Sequence, residues 1–330
     1  CAKSIDVQGD ESFMNQHHLR KWMLHIGPLA LAFLLVWPPG LSAAEDTGTT
    51  VRAEYELMLS ALDGEQLNAM HGSGEISVQV DLNSCPSDFA GGCGTTDNPY
   101  QIKTPEQLLE IANYPTSHFI LIEDVEFDDD FWNRHSWPLI TSFSGTFNGN
   151  NKTIKNLKIN TSRQYVGMFG EIAPSGKVTD LTLANVVVEA ESDGSPTVYV
   201  AALAGVNKGE IHHVSVTGDS ARIHSTSTNA TTDFGYVGGL VGYNDGGKIH
   251  QSKVLAEVKG SGDYGANVGG LVGGSIGGTI TDSDATGNVT VNWNDLKDSG
   301  TVGGLVGYSG SSSITDSHAT GIVHVNVESN

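Results

Sequence analysis

Apolar residues in the second half of the chain recur on two nested periods. Counting from Val178, Ile211, Ile249, Ile280 and Ile314, the residue three places on is Leu181, Val214, Ser252, Ser283 and Ser317. Five places on stand Leu183, Val216, Val254, Ala285 and Ala319. Seven on come Asn185, Gly218, Ala256, Gly287 and Gly321, and nine on Val187, Ser220, Val258, Val289 and Val323. These small or apolar columns alternate with polar positions, as a strand with one buried face requires.

On the longer period, Gly167-Met168-Phe169-Gly170 is echoed by Ala202-Leu203-Ala204-Gly205, Gly239-Leu240-Val241-Gly242, Gly270-Leu271-Val272-Gly273 and Gly304-Leu305-Val306-Gly307, at spacings of 35, 37, 31 and 34 residues. Five copies at a near-constant period predict a solenoid. Each repeat holds at least two short strands joined by tight glycine turns. Their columns stack about 4.8 Å apart, which makes a parallel β-helix. The polar segments Ser192 to Thr197, Gly218 to Phe234, Lys259 to Asn267 and Asn292 to Ser299 vary in length and are expected to loop out sideways.

Ahead of the repeats, Thr104 caps a short helix with Pro105 at its first position and Gln107 three residues on, followed by apolar Leu108, Leu109 and Ile111. Strands are expected at Phe119 to Ile122, Leu139 to Phe147 and Thr153 to Ile159, with Asn148 to Asn151 as a turn. Tyr55, Leu59 and Leu62 fall at helical spacing. The run Met23 to Val36 follows Arg20-Lys21 and ends in Pro38-Pro39-Gly40 and Ser42-Ala43-Ala44, the form of a secretory signal peptide rather than a membrane span. The expected organisation is an upstream extension (1–13), a signal peptide (14–44), an N-terminal segment (45–97) and the β-helix (98–330), with the natural polypeptide continuing past Asn330 because an uncapped last rung would expose unpaired backbone.

Charge narrows the partners. The chain has 17 Lys and Arg against 38 Asp and Glu, a formal charge of −21, and removal of residues 1–44 takes away three of each sign and leaves that charge unchanged. Nucleic acid and anionic membrane surfaces would repel it, so membrane contact is expected only through the signal peptide. Two cysteines, Cys85 and Cys93, lie in a Pro- and Gly-rich loop after the signal segment, where an oxidising compartment favours a local disulfide.

The stretches "NPYQIKTPEQLLEIAN", "SFSGTFNGNNKTIKNLKI" and "YVGMFG", followed by the "VGGLVG" repeats, resemble the GLUG-motif family of secreted bacterial proteins over residues 98 to 327. Members occur in adhesin-like and haemagglutinin-like surface proteins and beside the catalytic domains of some immunoglobulin A proteases. The resemblance implies a right-handed parallel β-helix at or outside the cell surface and transfers no catalytic motif. "LDGEQLNAMHGSGEISVQVDL" is similar to a post-signal segment of proteobacterial envelope proteins, which implies a Gram-negative source.

Candidate chemistry is sparse. Gly273 to Gly277 matches G-x-S-x-G and Gly260 to Gly265 matches G-x-G-x-x-G, but neither opens the helix its chemistry needs. Asp282-Ser283-Asp284 starts like a calcium loop, yet Trp293 stands where the bidentate Glu belongs. Asp282 and Asp316 share a corner of adjacent rungs with Asp284 nearby, so these three are the calcium candidates, against a reading as solvated turn residues. Glu123, Asp124, Glu126 and Asp128 to Asp130 divide between the same two readings. Trp132, Trp137 and Trp293 could stack on sugars, with packing the commoner fate of such residues. His212 and His250 share an outward column. No catalytic residue and no required cofactor is assigned. The expected function is that of a secreted or surface-exposed adhesive or structural module for an extracellular glycan or surface protein. A polysaccharide lyase or hydrolase, or an accessory region of a larger surface protease or autotransporter, stays open.

Overall fold

The computed structural model describes residues 85, 88–191, 197–227, 234–262, 266–293 and 300–327. All lie in one compact unit, Asn83–Asn330. The expected signal peptide, the extension before it and the helical spacing at Tyr55 to Leu62 fall outside the described residues.

The chain winds as a parallel β-solenoid of about five turns. Each turn contributes to four sheets of twelve, five, five and six strands, and every strand-to-strand ladder between them is parallel. One complete turn runs through Lys177–Ala184, Val187–Glu191, Thr197–Val200 and Ala204–Asn207 before Glu210–Thr217 begins the next. Val178, Ile211, Ile249, Ile280 and Ile314 stack in register, as do Leu183, Val216, Val254, Ala285 and Ala319. The first four residues of each column are buried in one continuous core. Ser252, Ser283 and Ser317 continue the column of Leu181 and Val214 by accepting backbone N–H bonds from the turn before, at 3.1–3.3 Å.

The nine-residue column needs correction in its first two turns. The stacked residues are Val188, Ile223, Val258, Val289 and Val323, rather than Val187 and Ser220 followed by the last three. The corner through Asn185 (φ +54°) is one residue longer than the later ones and the corner through Gly218 (φ +101°) and Ala221 is longer still, so counting at constant offset slips at both. For the same reason Arg222–Ser227 is a strand, with Ile223 fully buried, although it sits in a segment expected to loop out. Similarly Glu257–Gly262 extends into another of those segments. The remaining parts of the four lateral segments, 192–196, 228–233, 263–265 and 294–299, fall outside the described residues.

At the N-terminal end, the Thr104 side chain accepts from Gln107 N, and Gln107 Oε1 accepts from Lys103 N, one residue before the cap. This stabilises the helix Pro105–Leu109 and the 3-10 turn Glu110–Asn113, which bury Leu108 and Ile111 against the first rungs. Those rungs are filled by phenylalanine: Phe119 lies 6.2 Å from Phe143, and Phe143 lies 4.6 Å from Phe169. Strand Thr146–Lys155 carries the expected asparagine turn inside it, with Asn150 and Asn151 at φ +51° and +56° and Asn148 Oδ1 accepting from Asn150 N at 2.7 Å. Leu139 to Ser142 are not strand, and Phe143 makes a single bridge to Ile172. Cys85 and Cys93 are paired, with Cα atoms 4.8 Å apart.

The last glycine of each "VGGLVG" copy has one steric reason. A Cβ on Gly273 would stand 2.6 Å from both Gly242 O and Val237 N, so the bend between two sheets closes only without a side chain. Beyond this bend the core turns polar: Asn207, Asn244 and Ser275 are fully buried and stack in register. Asn207 Nδ2 donates to Asn244 Oδ1 at 2.8 Å, Asn244 Nδ2 donates to Gly247 O at 3.0 Å and Ser275 Oγ at 3.3 Å, and Ser275 meets Ser312 at 2.9 Å. A buried polar column is stable only when satisfied in this way.

Candidate functional site

The bends bring two strands of each turn to one outer face, and that face is lined by tyrosine. Tyr165, Tyr199 and Tyr236 occupy the same register position on three consecutive turns, two residues ahead of the Gly or Ala that begins the bend. Their rings stack at centroid distances of 5.3 and 5.4 Å with interplanar angles of 11° and 10°. Tyr243, from the strand beyond the bend, leans on this stack at 4.9 Å from Tyr236 and 5.8 Å from Tyr199. Gly274, between Tyr243 and Tyr308 in that column, leaves the space into which the Tyr236 ring reaches: a Cβ there would lie 2.6 Å from the ring. Asn267 and Thr301 extend the column, with Thr301 donating to Asn267 Oδ1 from Oγ1 at 2.5 Å and from N at 3.2 Å.

Stacking consumes the ring faces within the ladder, so the column presents ring edges and phenol hydroxyls to solvent. Tyr165 and Tyr308 are the most open, at 39% and 41% exposure. Burial pushes the Tyr199 hydroxyl above its ordinary pKa, helped by the neighbouring Tyr165, Tyr236 and Tyr243 phenols and by Asp245. Tyr243 is raised by burial and then Asp245; Tyr236 is raised by burial against the opposing effect of its bond to Asn267. Tyr199, Tyr236 and Tyr243 therefore stay neutral and able both to donate and to accept at physiological pH. At its foot lies a cleft of about 100 Å³ lined by Trp137, Pro138, Leu139, Asn160, Arg163 and Tyr165 among others.

The sequence candidates lie elsewhere. Trp132 stacks on Phe127 at 4.7 Å and donates to Asn156 O at 3.0 Å; Trp137 donates to Met168 O at 3.0 Å. Trp293 is 8% exposed within the core. Ser275 of the G-x-S-x-G match is buried in the polar column, while the G-x-G-x-x-G match runs partly outside the described residues. The acidic run between Glu123 and Asp130 serves local structure. Asp124 accepts from Thr153 N at 2.8 Å, Asp128 caps the helix Asp129–Trp132 through Phe131 N at 2.6 Å, and Asp129 pairs with Lys158 at 2.6 Å, which holds its carboxyl below the usual range. The exposed ion pairs Lys177–Glu210 and Arg222–Glu189 and the half-buried pair Lys208–Glu171, each at 2.8–2.9 Å, tie neighbouring turns together.

Asp282 and Asp316 do share a corner, both with left-handed backbone at φ +50° and +51°. Asp284 stands two residues past that corner on a strand and faces His318 Nδ1 at 3.4 Å, so the three carboxylates do not converge. Among the described residues, the donors that do converge are Asp180, His212 and His213. His250, beside His212 in register, bonds to Thr281 Oγ1 instead. The aromatic residues expected to stack on sugars were Trp132, Trp137 and Trp293, and the tyrosines were not among them. Their signal is nevertheless present, in the recurring Tyr-Val before Gly167, Ala201 and Gly238.

The GLUG motif matches residues 235–259, 264–290 and 298–326, the last three turns of the solenoid. A Gly-rich protein of Evansella cellulosilytica, provisionally named a membrane protein, is 38% identical over 138 residues, covering 39% of this chain and 16% of that protein. Halomucin of Haloquadratum walsbyi is 30% identical over 170 residues, covering 48% of this chain and 2% of its own length. The chain thus spans a small part of the curated relatives it matches. A crystal structure from Bacteroides ovatus, provisionally described as an immunoglobulin A1 protease, covers 74% of this chain and 89% of its own at 20% identity and a TM-score of 0.46. The chain thus carries GLUG repeats in three successive turns.

Proposed function

We propose that this chain is a secreted or cell-surface, non-enzymatic β-solenoid that adheres to a neutral extracellular glycan along its tyrosine face. The observation that carries the reading is the aligned stack of Tyr165, Tyr199 and Tyr236 flanked by Tyr243 and Tyr308. Tyrosine offers an apolar body with a polar tip, the combination favoured where a surface is meant to be covered. Hydroxyls repeating once per turn match a polymer that also repeats, and a rigid ladder holds them in place with little entropy to lose on binding. A chain of net charge −21 favours a neutral partner over a polyanion. The names of the relatives, a membrane protein and a halomucin, support a surface or extracellular setting.

A second reading, an accessory region of a longer surface protein, is favoured by the small share of those relatives that the chain spans. An antibody against residues 98–330 distinguishes it: a native band well above 34.8 kDa supports the accessory reading, and a band near that mass opposes it.

The adhesive reading is tested by screening the intact chain on an array of neutral and acidic glycans, then repeating the hits with Tyr199→Ser and Tyr236→Ser. Each substitution is expected to weaken binding to a neutral glycan at least about fivefold, close to the level of about 1 kcal/mol that only a minority of interface residues exceed. Hits confined to acidic glycans, or hits indifferent to both substitutions, would refute it.

A further inference from the structure

Each turn makes a left-handed step at one corner, through Asp180 (φ +54°), His213 (+56°), Gln251 (+47°), Asp282 (+50°) and Asp316 (+51°). Along a regular strand, neighbouring side chains point to opposite faces. The step at His213 breaks that alternation, and the His212 and His213 rings lie side by side with centroids 4.5 Å apart. On the preceding turn, Asp180 Oδ1 lies 3.3 Å from His213 Nδ1. One donor atom from each of the three residues lies within 4.8 Å of the other two. On the following turn, Gln251 Oε1 lies 2.7 Å from His212 Nε2 and steadies that ring.

We propose that Asp180, His212 and His213 bind a divalent transition-metal ion of the zinc type. Two imidazoles and one carboxylate suit Zn²⁺, Cu²⁺ or Ni²⁺, whereas Ca²⁺ and Mg²⁺ take oxygen ligands. A tetrahedral ion with bonds of about 2.0–2.2 Å holds its ligand atoms about 3.3–3.6 Å apart. The Asp180–His213 pair already has that separation, and a rotation of the His212 ring brings in the third donor. Asp180 and His213 are both partly open to solvent, so a fourth position stays available to water or to a group from a partner. Since the carboxylate belongs to one turn and the imidazoles to the next, the ion would clamp two turns together from outside.

The test uses the intact chain, stripped with EDTA and dialysed, with Zn²⁺ added in a calorimeter and thermal unfolding followed in parallel. His212→Thr installs the residue found at the same register position in Thr179 and Thr281. His213→Asn keeps a residue that tolerates left-handed backbone. Both variants are expected to keep the metal-free melting temperature and to lose Zn²⁺ affinity at least about tenfold. Zn²⁺ should raise the melting temperature of the parent chain and not of the variants, and Ca²⁺ should raise neither. Should His213→Asn fail to fold, His212→Thr decides alone. Equal Zn²⁺ affinity in parent and His212→Thr chains, absence of Zn²⁺ binding by the parent, or an equal rise in melting temperature with Ca²⁺ would overturn the proposal.

Discussion

Replacing Asn244 by leucine removes the middle member of the buried polar column while keeping the branched outline of the side chain. Three hydrogen bonds disappear: the one Asn244 Oδ1 accepts from Asn207 Nδ2, and those Asn244 Nδ2 gives to Gly247 O and Ser275 Oγ. The losses are unequal. Gly247 O keeps its bond from Thr279 N and Ser275 keeps Ser312, so neither is orphaned. Asn207 Nδ2 loses its acceptor at a fully buried site, which costs about 1–3 kcal/mol, and the direct bonds contribute about 1 kcal/mol more. The expected destabilisation is about 3 kcal/mol. With a urea slope near 3 kcal/mol per M, the midpoint of unfolding followed by circular dichroism should fall by about 1 M. The double variant Asn207→Leu/Asn244→Leu has no stranded side-chain amide, while Gly209 N loses Asn207 Oδ1 in it just as in the single Asn207→Leu change, and the turn before it already carries Ile172 at that position. It should therefore cost less than the two single changes together, by at least about 1 kcal/mol. A single change costing under about 0.5 kcal/mol, or strict additivity in the double variant, would refute the claim that this column is held by reciprocal amide bonds.

Other expectations follow from the same geometry. Gly273→Val drives a Cβ to 2.6 Å from two backbone atoms and should abolish cooperative unfolding, while Gly277→Asn, at φ +64° with open space around it, should change stability by less than about 1 kcal/mol because Ser311 holds the equivalent left-handed position at φ +53°. Both are read in the same urea titration. Tyr114 is pushed up to about 12 by burial and by Asp88, whose carboxylate accepts its hydroxyl at 3.2 Å. A raised folded-state pKa gives stability that is complete below pH 10 and is lost as pH climbs from 10 toward about 12. Absorbance at the tyrosinate band should show late-ionising phenols there together with falling stability, and Tyr114→Phe should remove part of that decline. His224 is held below its ordinary pKa by burial and then by Lys259, so acidification below about pH 6.5 should cost stability that His224→Gln retains.

The period and the buried columns were legible because a strand in a solenoid has a face that must be apolar at every turn, and Ile211, Ile249 and Ile280 each stand two residues ahead of a left-handed corner, at His213, Gln251 and Asp282. Corner length is not constrained in that way. The extra residues around Gly218 displaced the expected column by up to three positions and hid the strand Arg222–Ser227. The asparagine column could be seen in the alignment of Asn207, Asn244 and Ser275, but their burial depends on the direction of the chain after the bend. The meeting of Asp180 with His212 and His213 was out of reach. It requires a left-handed step at a non-glycine residue and a partner about 33 residues away on another turn. The tyrosine face is legible in the recurring Tyr-Val ahead of the bends, whereas the tryptophans expected to meet sugars, Trp132 and Trp293 among them, pack against the core.

Retention and turnover of one neutral polysaccharide, measured in the same sample, test the central claim most directly. The intact chain is run through a native gel containing the polysaccharide, and new reducing ends are assayed in the lane. The account expects retardation that Tyr199→Ser/Tyr236→Ser abolishes, with no rise in reducing ends above a protein-free lane. Retardation unchanged by that double substitution, or reducing ends accumulating with time, would contradict it.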